Sequence, residues 1–152
     1  MIEVRVTARV NPTETEDKVR KAIQNIFPLM DIRYNLTDDT GLYGMLEGTT
    51  GIEGLLHFHS LLREEEIIDT ARTQFEMGMY GVSPSTSFKI SKFVAVVGRL
   101  NFLEEEEPLG SIHVTITASS VPELQRLIRW LTPPTEKGKI IFEPDVKDVE
   151  SR

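Results

Sequence analysis

The sequence contains no cysteine and no long apolar run. A chain without cysteine forms no disulfide, no thiolate metal site and no cysteine nucleophile, which favours an intracellular protein. A membrane-spanning helix needs roughly 18 consecutive apolar residues. The amino terminus shows an alternating pattern instead of the apolar block of a signal peptide. We therefore expect a cytoplasmic protein that does not enter a membrane.

Basic residues are in the minority, with 17 Lys and Arg against 24 Asp and Glu and a formal net charge of -7. An acidic protein repels phosphate backbones at long range, so non-specific nucleic-acid binding is disfavoured. RNA binding would need a local basic patch. Asn and Gln are also sparse while charged residues reach 27%, a composition that fits a thermophilic source.

At 152 residues the chain is expected to form a single domain, with a core at 1–132 and a docked C-terminal extension at 133–152. Strands are predicted where apolar and polar residues alternate. These stretches are Ile2–Val10, Leu42–Glu47 and Ile112–Ala118. Residues 29–41 show no clear pattern apart from a turn at Asp38–Gly41, and Lys139–Phe142 is a candidate for a last short strand.

A further strand is predicted at Phe88–Phe102, where Phe93–Val97 is apolar without interruption. Such a run indicates a strand covered on both faces, or covered on one face and buried in an interface on the other.

Helices are predicted from apolar residues at helical spacing and from their caps. The first is expected to be capped by Asn11, with Pro12 at its first position and Glu14 completing the cap. The last is expected to follow Ser119 or Ser120. The longest helical pattern, Leu55–Gly78, is interrupted at Glu65, which predicts a break near Arg63–Glu65 and two helices.

The element order is thus β-α-β-α(α)-β-β-α. It predicts an α+β two-layer sandwich, with helices packed on one face of a mostly antiparallel, curved sheet. The opening strand and its Pro-opened helix are echoed by Ile112–Pro122. Internal duplication would explain the echo, and so would chance, because alternating strands look alike.

No set of residues points to catalysis or to a metal. His57 and His59 are two apart, and such positions diverge on a helix. Glu64–Glu66 is typical of a solvated face, and Gly48–Gly51 lacks the lysine of a phosphate-binding loop. No serine has the context of a nucleophile. We expect no catalytic residue, no metal, no cofactor and no enzymatic activity.

The polar face of the first strand carries Arg5 and Arg9, and the strand at Ile112–Ala118 carries His113, Thr115 and Thr117 on its polar face. If these strands pair, their shared face could bind RNA, be solvated, or be buried in a homodimer. Asp69 and Arg72, three apart on a helix, are predicted to pair. Either they stabilise the helix or Arg72 is positioned for a partner.

Several short segments together resemble an archaeal uncharacterised protein family whose members are predicted RNA-binding or exosome-associated proteins. The segments are Asn25–Pro28, Leu62–Arg63, Ile68–Arg72, Lys92, Gly98, Phe102 and Pro108–Ile112. The resemblance implies a fold similar to that of large-subunit ribosomal protein five, which binds the small ribosomal RNA. It also implies RNA, and RNA-processing proteins, as partners, and it makes Arg63, Asp69, Arg72 and Lys92 family-like positions.

The sequence therefore predicts an RNA-associated protein without catalytic activity. The candidate RNA-binding residues are Arg5, Arg9, Arg63, Arg72, Lys92 and Arg99. The alternative is a homodimeric structural or protein-interaction module that uses the apolar stretch Phe93–Val97 and the C-terminal extension as its interface.

Overall fold

The computed structural model describes residues 1–36 and 43–150. Its strands are β1 Glu3–Val10, β2 Asp31–Leu36, β3 Gly44–Thr50, β4 Ser85–Ile90, β5 Phe102–Leu103, β6 Ile112–Thr117, β7 Thr135–Glu136 and β8 Lys139–Ile140. Its α-helices are α1 Glu16–Ile26, α2 Leu56–Glu64, α3 Ile68–Met77, α4 Lys92–Ala95 and α5 Val121–Leu131.

The first six strands form one sheet in the order β2-β3-β1-β6-β4-β5, and every neighbouring pair is antiparallel. The α+β class and the antiparallel sheet predicted from the sequence are confirmed. The period-2 pattern of β1 buries Val4 and Val6 and leaves Arg5 and Arg9 exposed, as alternation requires. Strands β1 and β6, whose pairing the sequence left open, are neighbours in the sheet.

The buried face of the sheet and the apolar faces of the helices share one hydrophobic core. Its centre is a group of phenylalanines around Phe58, whose ring lies 5.5 Å from that of Phe27 and 5.8 Å from that of Phe88. Full burial of one such side chain contributes roughly 1.5–3 kcal/mol. Among the described residues the core lies on one side of the sheet. The opposite face, named here the open face, is turned to solvent along β1, β3, β4 and β6.

The break in the long helical pattern is confirmed. Helix α2 ends at Glu64 and α3 begins at Ile68. Between them Glu66 takes a φ of 54°, a left-handed conformation that a continuous helix excludes. The charged residues that interrupt the apolar pattern are therefore the residues of the turn.

The helix predicted to begin at Pro12 begins instead at Glu16, where the Thr15 hydroxyl accepts from the backbone N–H of Lys18 at 3.4 Å. Asn11 and Glu14 do interact, since the Glu14 carboxylate accepts from the Asn11 side chain at 2.7 Å. That contact closes a separate turn ahead of the helix. The sequence therefore predicts the contact between Asn11 and Glu14 correctly, but the prediction that this contact caps the helix is wrong.

The predicted single strand at Phe88–Phe102 is wrong. Strand β4 ends at Ile90, and the Ser91 hydroxyl caps the short helix α4 by accepting from Val94 N–H at 3.5 Å. Gly98, at a φ of 81°, then reverses the chain toward β5. A run of apolar residues alone does not separate a strand from a buried helical turn, and the serine cap was the available signal.

The sequence-based assignment also missed β2, and it ended β3 too early. Asp31, Arg33 and Asn35 alternate with apolar residues in β2, which pairs with β3 over its whole length. Gly48 lies inside β3, where an added Cβ would come 2.6 Å from the Met30 side chain. The turn predicted at Asp38–Gly41 lies outside the described residues.

Residues 133–150 contact the rest of the chain at separate points. Val149 is 1% exposed, and Arg126 Nε donates to its carbonyl at 3.0 Å. Within the described part of the chain, no helix is long and apolar enough to cross a membrane.

Candidate functional site

Two rows of side chains cross the open face in register. The first consists of Ser87, Thr115, Arg5, Thr49 and Asp31, and the second of Lys89, His113, Thr7, Glu47 and Arg33. Neighbouring strands lie roughly 4.8 Å apart, so each row spans about 19 Å from β4 to β2. The face thus presents basic side chains among hydroxyl groups across a length that suits an extended ligand.

Arg5 lies near the middle of the open face, and its side chain is 59% exposed. Its Nε donates to Glu47 Oε2 at 2.6 Å. An exposed pair of this kind contributes about 0–1 kcal/mol. An incoming phosphate can therefore take over the guanidinium at small cost.

Arg9 lies two residues further along β1, and its guanidinium lies 5.5 Å from the centre of the Tyr43 ring. The two side chains form a basic-aromatic pair by a cation–π contact. Arg9 also lines a depression of about 220 Å³ that reaches Met45, Gly110 and His113. This corner of the face combines positive charge with an aromatic surface.

His113 lies beside Glu106, with 3.0 Å between Nε2 and the carboxylate. Burial acts to raise the pKa of Glu106, but the hydrogen bond and charge of His113, together with hydrogen bonds from Ser111, outweigh it, so the pKa is lowered overall. Glu106 is therefore ionised at neutral pH and holds the imidazole in place on the open face.

Arg63, predicted to contact RNA, belongs to α2 in the helix layer, and its side chain reaches the C-terminal end of α5. Its guanidinium donates to the carbonyls of Leu131 at 2.7 Å, Trp130 at 3.1 Å and His59 at 3.0 Å. It also pairs with Glu143 of the extension at 2.8 Å. The last carbonyls of a helix lack hydrogen-bond donors within the helix. Arg63 provides these donors for the last two residues of α5, Trp130 and Leu131.

Arg72 also contacts backbone carbonyls just after the end of α5. Its Nε donates to Thr132 O at 3.2 Å, its Nη2 donates to Pro133 O, and its Nη1 pairs with Asp69 at 2.9 Å. Asp69 also accepts from the Thr135 hydroxyl, and this bond and the one from Arg72 lower its pKa. The predicted Asp69–Arg72 pair is present, and it joins α3 to the start of the extension.

Lys92 is 2% exposed and belongs to α4, not to a strand. Its Nζ donates to Arg9 O at 2.7 Å and Leu109 O at 2.8 Å, and pairs with Glu14 at 3.0 Å. A buried ammonium with these partners has no surface to offer RNA.

Arg99 follows α4, and its side chain is 70% exposed. Its Nε donates at 3.0 Å to Glu65, which also accepts from the backbone N–H of Leu100 at 2.8 Å. Because Glu65 lies between α2 and α3, Arg99 belongs to the helix layer. Of the predicted RNA-binding residues, the open face brings together Arg5 and Arg9.

Two basic residues of the open face escaped the sequence reasoning. Arg33 lies on β2 and Lys89 on β4, both in the second row. Arg33 was missed because β2 was not recognised, although its alternation was readable. Lys89 stands between Phe88 and Ile90, and the same alternation would have assigned it to the polar face.

His59 stacks on Trp130 with 4.6 Å between ring centres, and its Nε2 has no hydrogen-bond partner among the described residues. Burial, together with the nearby charge of Arg63, lowers the pKa of His59 to about 4. Across the described residues no cluster of His, Cys, Asp and Glu could hold a metal ion. His59 is therefore a neutral packing residue at neutral pH.

Acidification is expected to destabilise the protein through His59. Between pH 6.5 and about 4 the unfolded state binds a proton at this histidine that the folded state does not. Stability is therefore full above this window and falls with pH inside it, by up to about 3 kcal/mol. The His59→Phe variant keeps a ring against Trp130 and removes the titration. Urea unfolding across this window should give a shallower pH dependence for the variant, and equal slopes would contradict the assignment.

The fold and the open face define the class of protein as an α+β protein with one uncovered, polar sheet face. A family model described as RNA binding matches residues 3–118. A UPF0201 protein of Methanosarcina acetivorans is 36% identical over 99% of this chain and 96% of its own length. A UPF0201 protein of Pyrococcus horikoshii is 39% identical over 90% of this chain and 93% of its own.

A crystal structure of a UPF0201 protein from Methanococcus jannaschii superposes with a TM-score of 0.80 at 37% identity, covering 92% of this chain and 99% of the other. The chain belongs to the UPF0201 family, and the family model it matches is the one described as RNA binding. The resemblance to an archaeal family of predicted RNA-binding proteins is confirmed. Exosome association and the likeness to large-subunit ribosomal protein five stay predictions.

Proposed function

We propose that this protein binds RNA through its open face and does so without catalysis. The observation that carries the proposal is that Arg5, Arg9, Arg33 and Lys89 lie on the same face of the sheet. Among the described residues, the helices pack on the opposite face. Sheet faces of this kind bind single-stranded RNA in other folds. The family description supports the same ligand.

The acidic net charge is compatible with this proposal because binding depends on the local field. Glu3, Asp31 and Glu47 share the open face with the basic residues. They weaken purely electrostatic attraction and favour a ligand that also uses hydrogen bonds. The polar groups extend along two rows and do not converge on one point, an arrangement that suits binding more than a reaction.

The Arg5→Ala, Arg9→Ala double variant is expected to bind single-stranded RNA about tenfold more weakly than the unmodified protein. Each lost phosphate contact should also reduce the slope of log affinity against log salt by about 0.7. Fluorescence anisotropy with a labelled oligouridylate over a salt series measures both quantities. The matched control is Lys137→Ala, Lys139→Ala, which removes the same charge from the exposed β7-β8 hairpin.

An equal loss in both double variants would mean that net charge alone governs binding, and the open face would not be the site. If the unmodified protein binds no RNA at low salt, the proposal fails. Light scattering on the same samples then tests the alternative of a homodimeric or protein-interaction module. That alternative would use Phe93 and Val97, which are 51% and 73% exposed on and after α4.

A further inference from the structure

The outer edge of β4 has two different partners. Strand β5 pairs with it at Lys89 and Ile90, and the segment after α3 meets it at the other end, through a bridge from Met79 to Thr86. Between these partners lies a groove of about 480 Å³, named here the edge groove. This volume is within the range of sites that hold small organic groups.

The position of the α3 side of the groove is set by backbone contact. Gly78 O accepts from Ser87 N–H at 3.2 Å. A Cβ added at Gly78 would lie 2.0 Å from Ser87 O, so a side chain at this position would separate the two segments. The glycine thereby fixes the wall that carries Met77 and Tyr80.

The walls and floor of the edge groove differ in chemistry. Met77 and Tyr80 are 62% and 75% exposed, which is a large aromatic and apolar area for residues with no packing role in the core. Gln74, Ser87 and Lys89 add donors and acceptors around it. A flat ring with polar edges fits this combination, because its face can stack on the aromatic wall and its edge can form hydrogen bonds with the polar side chains.

The edge groove is continuous with the open face. Ser87 and Thr115 belong to the first row and Lys89 and His113 to the second, and all four also line the groove. Arg5 lies directly opposite Thr115 on the next strand. A nucleic-acid backbone held by the basic residues of the open face would therefore pass the mouth of the groove.

We propose that the edge groove takes one unstacked base of single-stranded RNA, with the base stacked on Tyr80 and its edge bonded by Gln74, Ser87 or Lys89. This inference rests on the proposed function and specifies the ligand as single-stranded. In a duplex the bases are stacked and paired, so none is free to enter. Stacking tolerates every base, because each has a π-face.

The Tyr80→Ala variant is expected to bind an oligouridylate of about ten nucleotides roughly tenfold more weakly. The Tyr80→Phe variant keeps the stacking surface and should bind like the unmodified protein. An abasic oligomer of the same length has the backbone alone, so its affinity should be lower and unaffected by Tyr80→Ala. The control is Val82→Ala, a change at a 92% exposed residue that is not part of the groove lining.

The possible outcomes distinguish a failure of the base-binding groove from a failure of RNA binding as a whole. Failure of the unmodified protein to bind either oligomer removes the proposed function and this inference together. Equal affinity for the oligouridylate and the abasic oligomer, or for single-stranded RNA and a duplex, leaves RNA binding intact and overturns the base-binding groove. Photocrosslinking with 5-iodouridine gives an independent readout: a crosslink in the peptide carrying Met77 and Tyr80 supports the groove, and crosslinks confined to other peptides overturn it.

Discussion

Replacing Arg63 by alanine is expected to lower the free energy of unfolding by ~3 kcal/mol, because three backbone carbonyls lose a charged donor at once. The guanidinium bonds the carbonyls of His59, Trp130 and Leu131 from one side and the Glu143 carboxylate from the other. Each carbonyl bond is to a part-buried group. Water therefore replaces the lost donors only incompletely.

The planar fork of arginine is essential to this arrangement. Its Nη1 and Nη2 reach neighbouring carbonyls, while its Nε and Nη2 face the two oxygens of Glu143. A lysine offers one point charge and cannot span these acceptors. Arg63→Lys should therefore recover only part of the loss, despite keeping the charge.

Urea unfolding measures the change, and Arg5→Ala is the matched control. Arg5 also pairs with a glutamate, but on the open face and with a 59% exposed side chain, so its loss should cost about 0.5 kcal/mol or less. A loss of similar size in the two variants would show that Arg63 contributes only a surface ion pair. Under conditions where Arg63→Ala stays folded, its RNA affinity should equal that of the unmodified protein. This result would show that Arg63 stabilises the end of α5 and does not contact RNA, as the sequence predicted it to do.

The sequence predicted those elements whose pattern is local. Alternation in β1 and β6 predicts that Arg5, Arg9 and His113 each lie on the polar face of their own strand. The structure pairs the two strands, which the sequence left open. The charged interruption at Glu65 predicted the turn between α2 and α3. In these cases a few adjacent residues determine the local conformation, so the signal is present in a short window.

The contacts of the basic residues could not be predicted from the sequence, because their partners are distant in the chain. A lysine is almost never fully buried without a partner, and nothing near Lys92 in the sequence indicates one, because Glu14 stands far away in the chain. Likewise, the acceptors of Arg63 belong to the end of α5 and to the extension. The family resemblance marks these positions as distinctive, but their contact partners are seen only in the structure.

Lys92 gives the second large effect expected from substitution. Its Nζ lies within hydrogen-bonding distance of Arg9 O, Leu109 O and both oxygens of Glu14, and the two side chains are only 2% and 13% exposed. Removing one member of a buried ion pair leaves an uncompensated charge, at a cost of ~3–5 kcal/mol. Lys92→Met, which nearly preserves volume, should show this loss in urea unfolding.

Glu14, the partner of Lys92, provides a control that tests whether the unpaired charge causes the loss of stability. In Lys92→Met, Glu14→Gln the residue left behind is neutral, and the Gln side chain still bonds neighbouring groups. The double variant should therefore be more stable than Lys92→Met alone. If the double variant is instead as unstable as the sum of the two single changes, the loss comes from packing around α4 and not from the unpaired carboxylate.

The pH dependence of the same variants gives an independent test, because the pKa of Glu14 has opposing causes. Burial raises it, while hydrogen bonds from Asn11 and the bond and charge of Lys92 lower it, and the net pKa lies below the ordinary value of 4.5. In the unmodified protein this carboxylate contributes stability above that value, and the contribution is lost as the pH falls through the lowered folded pKa. Without Lys92 only the hydrogen bonds from Asn11 oppose the effect of burial, so the ionised form of Glu14 is less favoured in the variant and protonation costs it less stability. The stability difference between the unmodified protein and Lys92→Met should therefore shrink on acidification, and a difference that is constant with pH would contradict the ion-pair explanation.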